Sequence, residues 1–128
     1  MLKLLIFAGA GGFAGSVLRY SVTMLFQKLG RTGFPFATLT VNVIGSYIAG
    51  IIMAYFLKTG NINEEMRVLL MVGICGGLTT FSSFSYENVQ LIQESRYSEF
   101  LLYSLGSIVL GIIAVLAGIY TVNHFAAE

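Results

Sequence analysis

Long apolar runs separated by short polar clusters extend along the whole chain. Residues 32–57, 68–86 and 100–127 contain no Asp, Glu, Lys or Arg, and residues 4–27 contain only Arg19. A helix needs roughly 20 mainly apolar residues to cross the hydrocarbon core of a bilayer. The pattern therefore predicts four transmembrane helices joined by short loops, at about 4–27, 37–57, 66–95 and 98–124.

Composition supports a membrane protein. Hydrophobic residues make up 56% of the 128 residues and charged residues 10%, whereas soluble domains carry about 25% charged residues. Mean hydropathy is +0.83. We expect one all-α membrane domain over residues 1–128. The first apolar run reaches only Phe7, which is short for a secretory signal, so we expect a retained first helix. The net charge of +1 gives no reason to expect nucleic-acid binding.

The basic residues at the helix ends are balanced between the two membrane faces. Four spans place both termini on one face. Three basic residues then lie at each face: Lys3, Lys58 and Arg67 against Lys28, Arg31 and Arg96. An excess of Lys and Arg normally fixes orientation. Either a local feature fixes one orientation here, or copies insert both ways and form an antiparallel dimer. The small size of the unit favours the dimer.

The third span contains residues that are unfavourable within a helix. Gly76 and Gly77 are followed, after one leucine, by Thr79 and Thr80. Glycine permits a break, and threonine can cap a helix that begins again. The sequence favours a break at 76–80, near the bilayer centre, over a continuous helix. A restarted helix would direct N–H groups towards an anion, and the freed carbonyls would suit a cation.

Aromatic and hydroxyl side chains follow the predicted break. Phe81 and Phe84 are three residues apart, on one helical face, and Ser82 and Ser85 form a neighbouring stripe. Phenylalanines at this spacing most often serve packing. The edges of their rings are electropositive, however, so they can also contact an anion.

Polar positions also recur inside two other spans. Thr38, Asn42 and Ser46 lie on one stripe of the second span, and Tyr103 and Ser107 lie on one stripe of the fourth. An amide in hydrocarbon is unfavourable unless it is paired. Asn42 is therefore either a hydrogen-bonded link between helices or a donor that lines a pathway.

Two charges fall within the predicted spans. Arg19 and Glu87 both lie near the same membrane face, where they could pair or form a vestibule, and Arg19 could instead extend to the interface. Neither is expected at the midplane, where a proton-coupled antiporter would need a carboxylate.

Small residues at four-residue spacing predict close helix contacts. They occur in three spans, as Gly11/Gly15, Gly12/Ser16, Ser46/Gly50, Ser107/Gly111 and Ala114/Gly118.

Four segments together resemble the Fluc family of bacterial fluoride channels: GFAGSVLRY, TLTVNVIGSY, GGLTTFSSFSYE and YSLGS. The resemblance covers essentially the whole chain in order, and GGLTTFSSFS is its most specific part. It implies an antiparallel, dual-topology homodimer of four-helix subunits with two fluoride pores, in the bacterial inner membrane. The protein would then export fluoride passively and protect the cell from its toxicity.

The resemblance also implies roles for individual residues. Aromatic rings, one amide and several hydroxyls would line the fluoride pathway, namely those of Phe81, Phe84, Asn42, Thr80, Ser82, Ser85, Tyr103 and Ser107. Backbone carbonyls of Gly76 and Thr79 would hold a structural sodium ion at the centre of the dimer.

Physical reasoning about the residues agrees with a fluoride channel. Fluoride is small and strongly hydrated, so a pore must replace the hydrogen bonds of water without holding the ion too tightly. A small multidrug-resistance-type antiporter would need a carboxylate in an early helix, and the first two spans contain no Asp or Glu. A purely structural membrane subunit is a third interpretation. No nucleophile–base pair or phosphate-binding loop is visible in the sequence, so we do not expect an enzyme.

Overall fold

The computed structural model describes residues 1–60 and 63–125, and these residues form helices without a strand. Four stretches are long and apolar enough to cross a membrane. Three of them are continuous helices: α1 (Leu2–Lys28), α2 (Phe36–Thr59) and, at the C-terminal end, α6 (Tyr97–Phe125). The third stretch, Glu64–Gln93, is composite. Each observed end lies within two residues of the bound expected from the apolar runs.

The third span consists of two helical halves. Its first half contains α3 (Glu64–Arg67), a π-helical stretch (Val68–Cys75) and α4 (Gly76–Leu78), and its second half is α5 (Phe81–Gln93). Asn63 begins the first half, because its side chain accepts hydrogen bonds from the backbone N–H groups of Glu65 and Met66. The π-helical stretch has a wider turn than an α-helix, a feature that is frequent at functional sites.

The break is narrower than the sequence predicted. Thr79 and Thr80 have extended backbone angles, with φ/ψ of −81°/155° and −151°/119°. Gly76 and Gly77, which we expected to permit the break, are helical. The expectation was wrong about the glycines: Gly77 makes a close contact with α1, and Gly76 lies exposed within the helical first half.

Two helix pairs form the body of the subunit. The first half of the third span packs along α1, and α2 packs along α6. Glycines set both contacts: a Cβ atom on Gly77 would lie 2.6 Å from the carbonyl oxygen of Gly12, and one on Gly118 would lie 2.9 Å from the backbone nitrogen of Ile51. The expectation that small residues bring backbones together is confirmed for these two pairs.

The outer surface of the subunit is apolar. Large hydrophobic side chains along α6 are more than half exposed, among them Leu102, Leu105, Ile112 and Leu116. Lipid tails can cover such side chains at no cost, since they are as apolar as leucine. Polar contacts concentrate at the ends of the helices and at the break.

The glycine contact yields a first prediction. Gly11→Ala should destabilise the subunit by ~1–3 kcal/mol, the usual effect of forcing a methyl group into a packed site, because its Cβ would lie 2.8 Å from the Cα of Gly73. The midpoint of thermal unfolding in detergent, followed by circular dichroism, measures the effect.

Gly9→Ala is the matched control in the same helix. No heavy atom lies within 4 Å of its added Cβ, and alanine favours the helix. Its midpoint should be unchanged or higher. Equal losses in the two variants would contradict the close contact between α1 and the third span.

Candidate functional site

The local sequence at the break satisfies much of its own backbone. The hydroxyl of Thr79 donates to the carbonyl oxygen of Cys75 at 2.8 Å. The hydroxyl of Thr80 accepts a hydrogen bond from the backbone N–H of Ser83 at 3.1 Å and so caps α5. Threonine thus supplies, on both sides of the break, polar atoms that a continuous helix would not need.

Asn42 of α2 hydrogen-bonds to the backbone groups of the break that the threonine side chains leave unpaired. Its Oδ1 accepts from the backbone N–H of Thr80 at 2.8 Å, and its Nδ2 donates to the carbonyl oxygen of Thr80 at 3.2 Å. One side-chain amide therefore satisfies both backbone groups of the residue that has left the helix. Asn42 links two helices, and it also lines the cavity that the break creates.

A cavity of about 330 Å³ lies beside the break, where α2, α5 and α6 approach one another. Polar, aromatic and aliphatic residues line it, and none of the described residues around it is charged: Asn42, Ser46, Thr79, Thr80, Phe81, Phe84, Ser107, Ile108 and Gly111. The Ser107 hydroxyl is buried and makes no hydrogen bond within the described part of the chain. Its hydrogen-bonding capacity remains available.

Aromatic rings continue from this cavity towards the membrane surface. The ring centroids of Phe81 and Phe84 are 5.8 Å apart, and those of Phe84 and Tyr103 are 5.1 Å apart. Phe34, in the loop between α1 and α2, presents an edge-on ring 5.6 Å from Tyr103. Phe84 is half-buried, whereas Phe81 is 79% exposed on the single subunit. The pair predicted from sequence spacing is thus part of a longer row.

Glu87 lies next to this row and is held by two hydroxyls. Thr38 donates to its Oε1 and Tyr103 to its Oε2, both at 2.6 Å. The polar stripes predicted in the second and fourth spans therefore meet twice. Thr38 and Tyr103 both contact Glu87, and the remaining residues of the two stripes line the cavity. The suggested pairing of Glu87 with Arg19 is not found among the described residues, because the carboxylate is bound by hydroxyls of α2 and α6 instead.

Six of the predicted residues do not line the cavity: Arg19, Gly76, Ser82, Ser85, Glu87 and Tyr103. The Ser82 hydroxyl lies 3.3 Å from that of Thr80, on an exposed side chain. The Ser85 hydroxyl donates to the carbonyl oxygen of Phe81 at 2.9 Å, within α5. Gly76 is exposed in the first half of the span. Thr79, which was expected near a sodium ion, does line the cavity.

Asn88 is a site residue that sequence reasoning did not single out. Its side chain is buried, donates to the carbonyl oxygen of Phe84 at 2.9 Å and accepts from the Ser104 hydroxyl at 2.7 Å. It fixes the turn of α5 that carries Phe84 against α6. The signal was present, since Asn88 lies four residues after Phe84, but its partner in α6 could not be identified from spacing.

The four spans, one of them broken at an uncharged polar cavity, define a small multi-pass membrane protein. The sequence model of the family described as "CrcB-like protein, Camphor Resistance (CrcB)" matches residues 6–119. The chain belongs to this family.

Several relatives are similar over nearly their whole length. A protein of Phocaeicola vulgatus is 44% identical over 117 residues, which cover 91% of this chain and 94% of the relative. One of Azobacteroides pseudotrichonymphae is 42% identical, covering 98% and 99%, and one of Caulobacter vibrioides is 43% identical, covering 93% and 94%. Each of the three is named "Fluoride-specific ion channel FluC".

The Asn42 pairing yields a second prediction. Asn42→Ala should leave the N–H and C=O groups of Thr80 without their partner, and each unpaired buried group costs about 1–3 kcal/mol. We expect a lower midpoint of thermal unfolding in detergent, measured by circular dichroism. Thr40→Ala, two residues earlier in α2, is the control and should have a small effect. Equal midpoints for the two variants would mean that water replaces the amide.

Proposed function

We propose that the protein is a fluoride-selective channel, which exports fluoride passively across the bacterial inner membrane and protects the cell from its toxicity. The observation that carries the proposal is the cavity beside the helix break, whose lining offers an amide, hydroxyls and phenylalanine rings and, among the described residues, no charged group. The names of the relatives support the same function.

An uncharged polar lining suits the conduction of a strongly hydrated anion. Hydroxyl and amide donors can replace part of the hydration shell, and without a fixed positive charge the ion is not held too tightly to leave. The N-terminus of α5 adds a favourable partial positive charge at the break, because helix N–H groups are unpaired there. One of these groups, the backbone N–H of Ser83, already donates to the Thr80 hydroxyl that caps the helix. The Ser107 hydroxyl remains free to contact an ion.

The phenylalanine rings extend the pathway in both directions from this point. Phe84 contacts Phe81 on one side and Tyr103 on the other, at centroid distances of 5.8 and 5.1 Å. Ring edges carry partial positive charge and so can follow a moving anion. Ser82 and Ser85 would assist only if their hydroxyls turned from their present partners.

We further infer that two copies associate in an antiparallel arrangement. Phe81 is 79% exposed on the single subunit although it lines the cavity, so a second copy would complete the wall of the pathway there. The balance of basic residues between the faces agrees with insertion in both orientations.

A structural sodium ion between the two copies belongs to the same proposal. The break removes the N–H groups that the carbonyls at the end of α4 would otherwise contact. Gly76 is exposed, and the backbone of Thr79 is extended. Carbonyl oxygens of these two residues from each copy would suit a cation of this kind.

The alternatives receive less support. An antiporter of the small multidrug-resistance type would need a carboxylate in its binding site, whereas the cavity has none among the described residues and Glu87 is bound by Thr38 and Tyr103. A structural subunit would have no use for a buried hydroxyl without a partner, such as that of Ser107.

Purified protein in liposomes tests the function. With a potassium ionophore to balance charge, we expect rapid fluoride efflux and no comparable chloride efflux, both measured with ion-selective electrodes. A narrow, donor-lined path would not replace the hydration that a larger, more weakly hydrogen-bonding anion such as chloride loses on entry. Comparable chloride efflux would contradict the selectivity, and proton-coupled movement would indicate a transporter.

Phe81→Ile and Phe84→Ile extend this experiment to the rings. Each change keeps apolar bulk and removes the electropositive ring edge. We expect strongly reduced fluoride efflux from protein that still elutes as the wild type does in size-exclusion chromatography. Normal efflux from both variants would mean that the rings serve packing alone.

Labelling in whole cells tests the antiparallel arrangement. Lys3→Cys and Lys28→Cys place a thiol at opposite ends of α1. A membrane-impermeant maleimide should react with each variant in part of the population, because both ends face outward in some copies. The unaltered chain, whose only cysteine is the buried Cys75, is the control. Labelling at one end alone would exclude the antiparallel dimer and, with it, the shared sodium site.

A further inference from the structure

One arginine outside the cavity joins the two loops on the same side of the subunit. Arg96 lies in the turn between α5 and α6, where its backbone N–H donates to the carbonyl oxygen of Leu91 at 2.9 Å. Its guanidinium donates across the surface to the carbonyl oxygen of Gly33, in the loop between α1 and α2. No other side chain in the described residues makes a hydrogen bond to that loop.

The guanidinium is fixed on its other sides by two carboxylates. It donates to Oε1 of Glu99 at 2.8 Å and to Oε2 of Glu94 at 3.0 Å, and it makes a further bond to Oε2 of Glu99. Hydrogen bonds to Glu99, and then to Glu94, raise the pKa of Arg96 above its ordinary value. Planar, multiply bonded contacts of this kind give direction as well as energy.

Phe34, the residue after Gly33, connects the loop that Arg96 holds to the interior of the subunit. The Phe34 ring lies 4.7 Å from that of Phe36 and meets Tyr103 edge-on at 5.6 Å, between centroids. Tyr103 is fully buried and donates to Glu87. The loop position set by Arg96 is thus connected, through Phe34 and Tyr103, to the row of rings that leads to the cavity beside the break.

A second cavity of about 260 Å³ lies between the two loops. Gly33, Phe34, Glu87 and Arg96 form part of its wall. It therefore offers a route from the membrane surface to the polar stripes. Phe34 is the apolar side chain best placed to close this route, since it belongs both to the wall and to the aromatic row.

We propose that Arg96 is a positioning residue for the mouth of the fluoride pathway, an inference that rests on the function proposed above. Its contact with Gly33 holds the loop so that the Phe34 ring packs on Tyr103 and leaves the cavity open. Without this contact, the loop is no longer fixed, and the Phe34 ring turns from Tyr103 into the mouth of the cavity whose wall it forms. Fluoride entry then becomes slower, while the cavity beside the break is unchanged.

Arg96→Lys tests the proposal, because lysine keeps the charge but lacks the planar fork that reaches Gly33 and both carboxylates. Initial fluoride efflux from liposomes is measured over a series of internal fluoride concentrations. At low fluoride the rate should fall about threefold or more, which corresponds to the loss of one ordinary hydrogen bond. At high fluoride it should approach the wild-type rate, because entry no longer limits it. Chloride should remain excluded.

Phe34→Leu and the double variant show whether Arg96 acts through Phe34. Phe34→Leu removes the ring that would close the route. The double variant should therefore recover most of the rate that Arg96→Lys loses at low fluoride, since the two residues act through one contact and their effects do not add. If the double variant remains as slow as Arg96→Lys, Arg96 does not act through Phe34 and the proposal is wrong.

Lys3→Gln is the matched control, because it removes an ion pair between spans, with Glu65 at 2.6 Å, at the opposite end of the subunit. It should behave as the wild type. Wild-type rates for Arg96→Lys at every concentration would overturn the positioning role. Equal slowing at low and high fluoride would also overturn it, since entry would not be the affected step. If the wild type itself conducts no fluoride, the proposed function fails instead.

Discussion

The structure depends on the hydrogen bonds between the side chain of Asn42 and the backbone of Thr80. A chain that leaves the helical conformation inside a bilayer exposes N–H and C=O groups that lipid cannot satisfy. The Asn42 amide supplies one acceptor and one donor, at 2.8 and 3.2 Å. Because both bonds go to one residue, the break can stay two residues wide. That fixed point also sets where α5 begins, and with it the position of Phe81 and Phe84 beside the cavity.

The helix pairs explain why the break opens a cavity. Glycine contacts hold the first half of the third span against α1, whereas α5 continues beside α6. The two halves therefore have different neighbours, and the space between these neighbours remains open at the break. Polar residues of α2 and α6, Asn42 and Ser107, reach it from either side. A continuous third helix would fill this space with its own side chains.

The sequence predicted the positions of the membrane-spanning segments better than the contacts that their residues make. Apolar runs are local, so the spans follow from counting residues against the thickness of a bilayer. Gly77 was misassigned because the sequence alone does not distinguish a glycine that permits a break from one that permits a close helix contact. The partners of Glu87 could not be found either, since Thr38 and Tyr103 come from spans whose relative rotation is set by packing. Asn42 was recognised as polar and important, but only the structure places its two bonds on Thr80.

The distribution of satisfied polar groups determines what a single copy of the chain can fold without a partner. The bonds that stabilise the break, from Asn42 to Thr80 and from Thr80 to Ser83, all lie within one chain. A single copy can therefore insert and fold in lipid without exposing these groups to hydrocarbon. It leaves exposed the ring of Phe81 and the backbone around Gly76. In the antiparallel dimer proposed above, folding and association would therefore draw on different contacts, and the orientation of each copy would be decided before the two copies meet.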